Sequence, residues 1–328
     1  PAYYIYRQVK NGHEYTGIIA CTSIDDYLSG VIKIHEQTLT KREEKLMEYL
    51  DVCEFNAEPV LFCYPNDQQL DELIARICKA APEYDFTTTD RVRHTLWVMS
   101  DEKNVNLVSS RFSKMPAIYI ADGHHRSASS ALLGITRRKS IKDFTGKEAF
   151  NFYLGIFFAE TQLEIYDYNR LVKDMGERST KELLEVLEEK FYVQEIDKAI
   201  YKPEQKHELS MYADGKWYSL KARRGTYNSE DPVGSLDASI LTKHILSPLF
   251  KIHDLKTDKR VGFVPGIKGP EALKEAVDEG RAAVAFGLYP VTMDHLKWIA
   301  DTENIMPPKS TWVEPKMRSG LVIYRFDE

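Results

Sequence analysis

The stretch Pro116–Gly134, PAIYIADGHHRSASSALLG, constrains this chain more than any other. Pro116 to Ile120 make a short apolar run of strand type. Asp122-Gly123 then turns the chain, and Arg126 to Leu133 reads as a helix closed by Gly134. A strand that enters a helix through so tight a turn leaves the first helical N–H groups, and the positive end of the helix dipole, open to an anion. Two histidines and an arginine, His124, His125 and Arg126, stand at that junction, so a phosphate site is the natural expectation. Gly123 permits the turn and a close approach of ligand to backbone, while Asp122 is placed to cap the helix. Arg126 can grip phosphate oxygens, and a histidine can donate a hydrogen bond or shuttle a proton. Successive helical residues diverge by about 100°, so His124 and His125 cannot both aim at one point. The small residues from Ser127 to Ala131 let the helix lie close to its sheet. The same string would equally suit a capped helix with surface histidines.

The rest of the chain alternates strand and helix signals. Tyr3–Val9 and Tyr15–Thr22, with Asn11-Gly12 between them, predict a hairpin. Ser23 with Asp26 opens a short turn that Gly30 closes, and Val31–Thr38 reads as an extended piece. Thr40, with Glu43 at the capping-box position, predicts a helix through about Tyr49. Pro59–Tyr64 is a buried strand, Asp67 to about Ala80 an amphipathic helix on Leu70, Ile74 and Ile77, His94–Met99 a strand, and Asp101 to about Phe112 a helix. Strands follow at Phe150–Ala159 and Gln162–Tyr166, then a helix at Ser179–Lys190 whose core face is Leu183, Val186 and Leu187. His207–Ala213 and Lys216–Ala222, around Asp214-Gly215, form the clearest hairpin. Helices at Asp237–Leu246, Pro270–Glu279 and Thr292–Ala300, with strands at Ala282–Leu288 and Leu321–Phe326, complete the pattern. This is a mixed α/β, α+β architecture, with a boundary near residue 160 separating 1–160 from 161–328.

A chain of 328 residues can bury one large or two ordinary cores. A net charge of −6 argues against a general nucleic-acid binder. No apolar run approaches the ~20 residues of a membrane span, nothing at the start reads as a signal peptide, and the four cysteines (Cys21, Cys53, Cys63, Cys78) form no CxxC pair. Buried thiols in a cytoplasmic protein are the expectation. The sequence opens Pro-Ala-Tyr-Tyr-Ile-Tyr, without a methionine and already in a β-type run, which suggests a missing N-terminal segment.

Two further clusters carry chemistry. In His35-Glu36-Gln37-Thr38, Glu36 could act as a general base with His35 as partner, although in a strand the two point to opposite faces. Met306–Gly320, MPPKSTWVEPKMRSG, is a proline-held loop carrying Lys309, Ser310, Lys316 and Arg318, donors suited to a substrate carboxylate or phosphate. No spacing of histidines or cysteines matches a metal site, and the glycines after Thr257-Asp258-Lys259-Arg260 match neither a P-loop nor a Rossmann fingerprint.

Taken together, GVIKIHEQT (Gly30–Thr38), LWVMSD (Leu96–Asp101), PAIYIADGHHR, YNRLVKD (Tyr168–Asp174), LDASIL (Leu236–Leu241), TDKRVGFVPGIKG (Thr257–Gly269), AFGLYPV (Ala285–Val291) and IMPPKSTWVEPKMRSGL (Ile305–Leu321) resemble the prokaryotic family called domain of unknown function ten-fifteen. The Asp-Gly-His-His-Arg turn is also similar to the nucleotide-phosphate turn of the ParB and sulfiredoxin superfamily, which includes free-serine kinases. That resemblance implies a ParB/sulfiredoxin-like core over 1–160 and a closely packed α+β region over 161–328. It also implies phosphate or nucleotide binding by Asp122, Gly123, His124, His125 and Arg126, with ATP or ADP and Mg²⁺ as cofactors. Catalytic roles then fall to Glu36, His124 and His125, and substrate binding to Lys309, Ser310, Lys316 and Arg318. The function it implies is a phosphotransferase acting on a small hydroxylated metabolite, free serine foremost. The alternatives are a non-catalytic nucleotide or metabolite sensor, and a ParB-like nuclease or DNA-binding protein, which the acidic charge disfavours.

Overall fold

The computed structural model describes residues 2–326. Asn11 and Gly12 take φ of 51° and 83°, the turn geometry whose twist matches that of the strands it joins. They connect β1 (Tyr3–Lys10) to β2 (His13–Ser23), pairing Tyr4 with Ile19 and Lys10 with His13. The chain continues through α1 (Ile24–Leu28), β3 (Ile32–Lys33), α2 (Thr40–Cys53), β4 (Phe55–Asn56), β5 (Val60–Tyr64), α3 (Gln68–Ile77) and β6 (Tyr84–Thr87). Then come β7 (Arg93–Met99), α4 (Glu102–Phe112), β8 (Ile118–Asp122), α5 (His124–Ser140) and β9 (Phe152–Ala159).

One eight-stranded sheet, ordered β3-β8-β5-β9-β2-β1-β7-β6, takes all of these strands but β4. The β3/β8 and β5/β9 pairs are parallel, and the remaining pairs antiparallel. Every residue of β5 is buried, as are Tyr153–Ala159 of β9, so these central strands read as unbroken apolar runs rather than alternating ones. Phe62 stacks on Phe157 at 4.7 Å between ring centres within that core. α3 starts where Asp67 accepts the Gln69 and Leu70 N–H groups at 3.0 and 3.1 Å; a cap of this kind contributes about 1 kcal/mol.

Several local expectations fail for identifiable reasons. Thr40 does not cap α2; it is the first helical residue, and Leu39 holds the cap position without a side-chain bond. α5 does not stop at Gly134 but runs to Ser140. A Cβ at Gly134 would lie 2.2 Å from Ile24 Cδ1 and 3.1 Å from the Phe150 carbonyl oxygen, so this glycine admits α1 to the helix rather than ending it. Ser127, Ala128, Ser129, Ser130 and Ala131 are all buried on the same helix, as their small size led one to expect. The extended piece Val31–Thr38 is reduced to the two residues of β3.

The chain divides into two compact units, one of Pro1–Glu164 with Pro315–Glu328, the other of Ile165–Glu314. The division falls after Glu164, and the chain returns to the first unit at Pro315, so 161–328 is not one unit. The second unit holds β11 (Tyr168–Val172), which follows the boundary strand β10 (Glu164–Tyr166). It continues with α6 (Thr180–Leu187), β12 (Phe191–Ile196), β13 (Glu208–Ala213), β14 (Lys216–Ala222), α7 (Asp237–Leu241), α8 (Ser247–Phe250) and β15 (Val261–Pro265). α9 (Glu271–Asp278), β16 (Val284–Gly287), α10 (Met293–Asp301) and β17 (Trp312–Glu314) follow. Its six-stranded sheet, β12-β14-β13-β16-β11-β15, is antiparallel throughout. Ser179 and Glu182 close a reciprocal capping box on α6, and a single π-type turn, Thr242–Leu246, joins α7 to α8. Back in the first unit, the expected last strand shortens to β18 (Tyr324–Arg325), paired antiparallel with β4.

Among the described residues no helix is long and apolar enough to cross a membrane. The four cysteines are free thiols, but only Cys63 is buried and Cys21 is exposed, so the expectation of uniformly buried thiols does not hold.

Candidate functional site

The turn between β8 and α5 is the centre of the site. Gly123 holds the N-cap position at φ 105°, ψ 29°, and no side chain caps the helix behind it. Asp122 does not serve as the cap. Its carboxylate is taken instead by Arg126 Nη2 at 3.0 Å and by Lys316 Nζ at 3.7 Å. The first turn of a 17-residue helix thus carries no acidic residue, which leaves its dipole uncompensated by a side-chain anion. A Cβ at Gly123 would lie 3.0 Å from the Arg126 guanidinium. Gly123→Ala combines that contact with a left-handed backbone and is expected to lower stability by about 1–3 kcal/mol. Urea unfolding of the variant checks this, and a midpoint equal to the wild type's would contradict it.

His124 and His125 diverge as consecutive helical residues must. His124 is buried and accepts the His35 N–H at Nε2, 3.4 Å away. His125 accepts the Leu39 N–H at Nε2, 3.2 Å away. The pair therefore pins the segment from His35 to Leu39 onto the start of α5. An imidazole that accepts at Nε2 carries its proton on Nδ1 when neutral, and His124 Nδ1 faces Glu36 Oε2 at 3.8 Å. Burial, reinforced by the charges of His35, His125 and Arg126, holds His124 well below the usual histidine range. Burial and then the Arg42 charge lower His125, with Glu43 opposing.

The segment that holds His35 and Glu36 is not a strand, and both side chains lie near His124. His35 is fully buried, edge-on to His124 at 4.5 Å between ring centres, while the Glu36 side chain is 40% exposed. Both ring nitrogens of His35 are buried without a hydrogen-bond partner, and burial pushes its pKa down to about 4. A buried polar ring without partners costs free energy unless something else supplies them.

Arg126 does not stand open as a free phosphate clamp. Its guanidinium donates to the Pro59 carbonyl, pairs with Glu58 Oε1 at 2.9 Å, and holds Asp122. Beside it a cavity of about 280 Å³ is lined by Glu58, Ser129, Ser130 and Ser319 with Leu46 and Val60. Arg126, Ser129 and Ser130 reach it together because i, i+3 and i+4 share a helix face. Glu58 is the member of this site that the sequence did not reveal: one acid before a buried strand makes no pattern.

The Met306–Gly320 loop is shared out rather than gathered. Lys316 reaches Asp122, whereas Arg318 is held by Asp90 and by Thr88 Oγ1 at 3.4 Å. Lys309 and Ser310 belong to the second unit, where Ser310 is buried with its hydroxyl donated to the Pro307 carbonyl at 2.7 Å. Among the described residues no group of three or more His, Cys, Asp or Glu is placed to hold a metal ion.

These features define a mixed α/β unit with an uncapped, glycine-entered helix start beside a carboxylate and a buried histidine pair. The chain belongs to the family described as protein of unknown function (DUF1015), whose model matches residues 1–239. No curated protein matches its sequence. Among solved structures, a free serine kinase variant in complex with AMP aligns over 92% of this chain and 91% of its own, with a TM-score of 0.46 at 14% identity. A conserved hypothetical protein from Pyrococcus furiosus aligns over 92% and 94%, with a TM-score of 0.43 at 14% identity. SbnI from Staphylococcus aureus, truncated at its C-terminus, aligns over 90% and 82%, with a TM-score of 0.45 at 10% identity.

Proposed function

We propose that the first unit is a nucleotide-dependent phosphotransferase acting on the hydroxyl of a small metabolite, with free serine the leading acceptor. The observation that carries this reading is the Glu36 carboxylate standing 3.8 Å from Nδ1 of the buried His124, beside an uncapped helix start. The backbone N–H groups after Gly123 bind the phosphates of ATP or ADP, and Mg²⁺ held by those phosphates would share their charge. Lys316 adds a positive charge at the Asp122 side of the turn. The cavity beside Ser129 and Ser130 has room for further polar parts of the nucleotide. The acceptor oxygen forms a bond to the terminal phosphorus as the bond from that phosphorus to its bridging oxygen breaks. The hydroxyl proton passes to Glu36, and the shortened nucleotide leaves.

Titration calorimetry with ATP, ADP and CTP, followed by detection of O-phosphoserine in the presence of serine, tests the proposal. Binding of at least one nucleotide and turnover are expected, and binding of none overturns it. A nucleotide-binding switch without turnover is the second reading, favoured by Arg126. Its guanidinium is engaged by two carboxylates and a carbonyl, so an incoming phosphate must compete for it and loosen the link between β5 and α5. Binding without turnover selects this reading.

A further inference from the structure

Arg170 lies in the middle of β11, and its cross-strand neighbours are Phe263 on β15 and Phe286 on β16. Cross-strand neighbours share a face of the sheet, and this face is apolar: Val172, Val261 and Phe286 all belong to the main core of the second unit. A residue in such a place is expected to be aliphatic or aromatic. The guanidinium there is fully buried, with Phe263 packed 4.7 Å from its centre. Its Nη1 donates to the Tyr168 carbonyl at 2.6 Å and its Nη2 to the Pro308 carbonyl at 3.4 Å. Nε is buried with no partner. Among the described residues the contacts of Arg170 are to backbone carbonyls and an aromatic ring rather than to a carboxylate, and burial pulls its pKa down to about 10.

Backbone carbonyls satisfy donors but do not neutralise a charge. A buried cation without an anion is among the costlier arrangements a core can hold. A second cation stands close by. Lys309, next to the Pro308 that Arg170 touches, places Nζ 5.4 Å from the centre of the Tyr168 ring. It too has no acidic partner among the described residues, and it is exposed where Arg170 is buried. Both cations border Tyr168, Arg170 through its carbonyl and Lys309 through its ring, and the inner one keeps an open donor; two cations without acidic partners at one residue have the charge pattern of a site for an oxyanion.

We propose that Arg170 and Lys309 bind an oxyanion of a small metabolite, a carboxylate or a phosphate ester, in the second unit. The site belongs to the second unit and does not depend on the function proposed for the first. Arg170 supplies the planar donor edge that fixes the anion, and Lys309 supplies the outer charge that draws it in.

The thermal midpoint of the full chain, followed against acetate, inorganic phosphate or chloride at constant ionic strength, tests this. Phosphate can also bind the backbone N–H groups of the first unit's turn, so the rise that counts is the part lost on Arg170→Met. A saturable rise with acetate alone assigns a carboxylate, and one with phosphate alone a phosphate ester; no saturable rise with either overturns the proposal. Arg170→Met is expected to abolish the rise, and Lys309→Met to weaken the apparent affinity about tenfold, with Arg170→Lys retaining part of it. A rise unchanged in size and affinity in Arg170→Met overturns the proposal. Should that variant not fold, an unchanged affinity in Lys309→Met overturns it equally.

Discussion

Glu36→Gln is expected to lower phosphate transfer by about 10²–10⁴-fold while changing nucleotide affinity by no more than about threefold. The amide keeps the size and the polar contact toward His124 but cannot take the acceptor proton. The phosphate contacts of the proposed mechanism come from the backbone after Gly123 and from Lys316, neither of which the substitution touches. Single-turnover rates with saturating nucleotide, set beside calorimetric affinities, separate the two quantities. Transfer that stays within about threefold of wild type would remove Glu36 from the role of base. A loss of affinity parallel to the loss of rate would show instead that Glu36 helps to bind the ligand.

Acid should destabilise the first unit through His35. In the unfolded chain this histidine takes up a proton near its ordinary 6.5, whereas in the folded protein burial delays protonation to about 4. Between those values the unfolded state binds more protons, so stability is complete above about pH 6.5 and falls as pH drops toward 4. The slope is about 1.4 kcal/mol per pH unit, or about 3 kcal/mol across the window. His35→Leu removes the titration, so the wild-type-minus-variant difference in unfolding free energy sets aside the ionisable groups that do not touch His35. Asp237 in the second unit, raised to about 7 by burial, works in the opposite direction and cancels in that difference. A difference that is flat from pH 7 to pH 4 would contradict the assignment. His124 adds a loss of the same sign, and protonation at its Nε2 would break the bond to the His35 N–H, releasing the segment that carries Glu36.

The parts of this fold that were legible in the sequence are those decided by neighbours along the chain. Asn11-Gly12 and Asp214-Gly215 announced their hairpins, and Asp67, Asp101 and Ser179 announced their helices, because a turn or a cap is settled within four residues. β6 escaped because it is an edge strand of only four residues, too short for its alternation to stand out. Gly134 was misread as a stop because its reason for being a glycine, the Ile24 side chain, lies 110 positions away. The site divides in the same way. The turn and its basic residues could be read directly, and so could the divergence of the two histidines. The partners that give them meaning, Glu58 on Arg126 and the His35 and Leu39 amides on the histidines, come from distant segments. Arg170 carried no signal of a site, since an arginine beside an asparagine in Tyr168–Val172 looks like the solvent side of a strand until its burial is seen.

The second unit interrupts the first, and this has a temporal meaning. As the ribosome delivers the chain from its N-terminus, the sheet, the Gly123 turn and α5 all emerge before the second unit is made. The strand that pairs with β4, and the lysine that reaches Asp122, emerge only after it. The nascent first unit must wait with the edge at Phe55–Asn56 uncovered through the synthesis of about 150 residues, roughly ten seconds at common rates of translation. A stalled or truncated product would carry a fully formed turn on an unfinished unit.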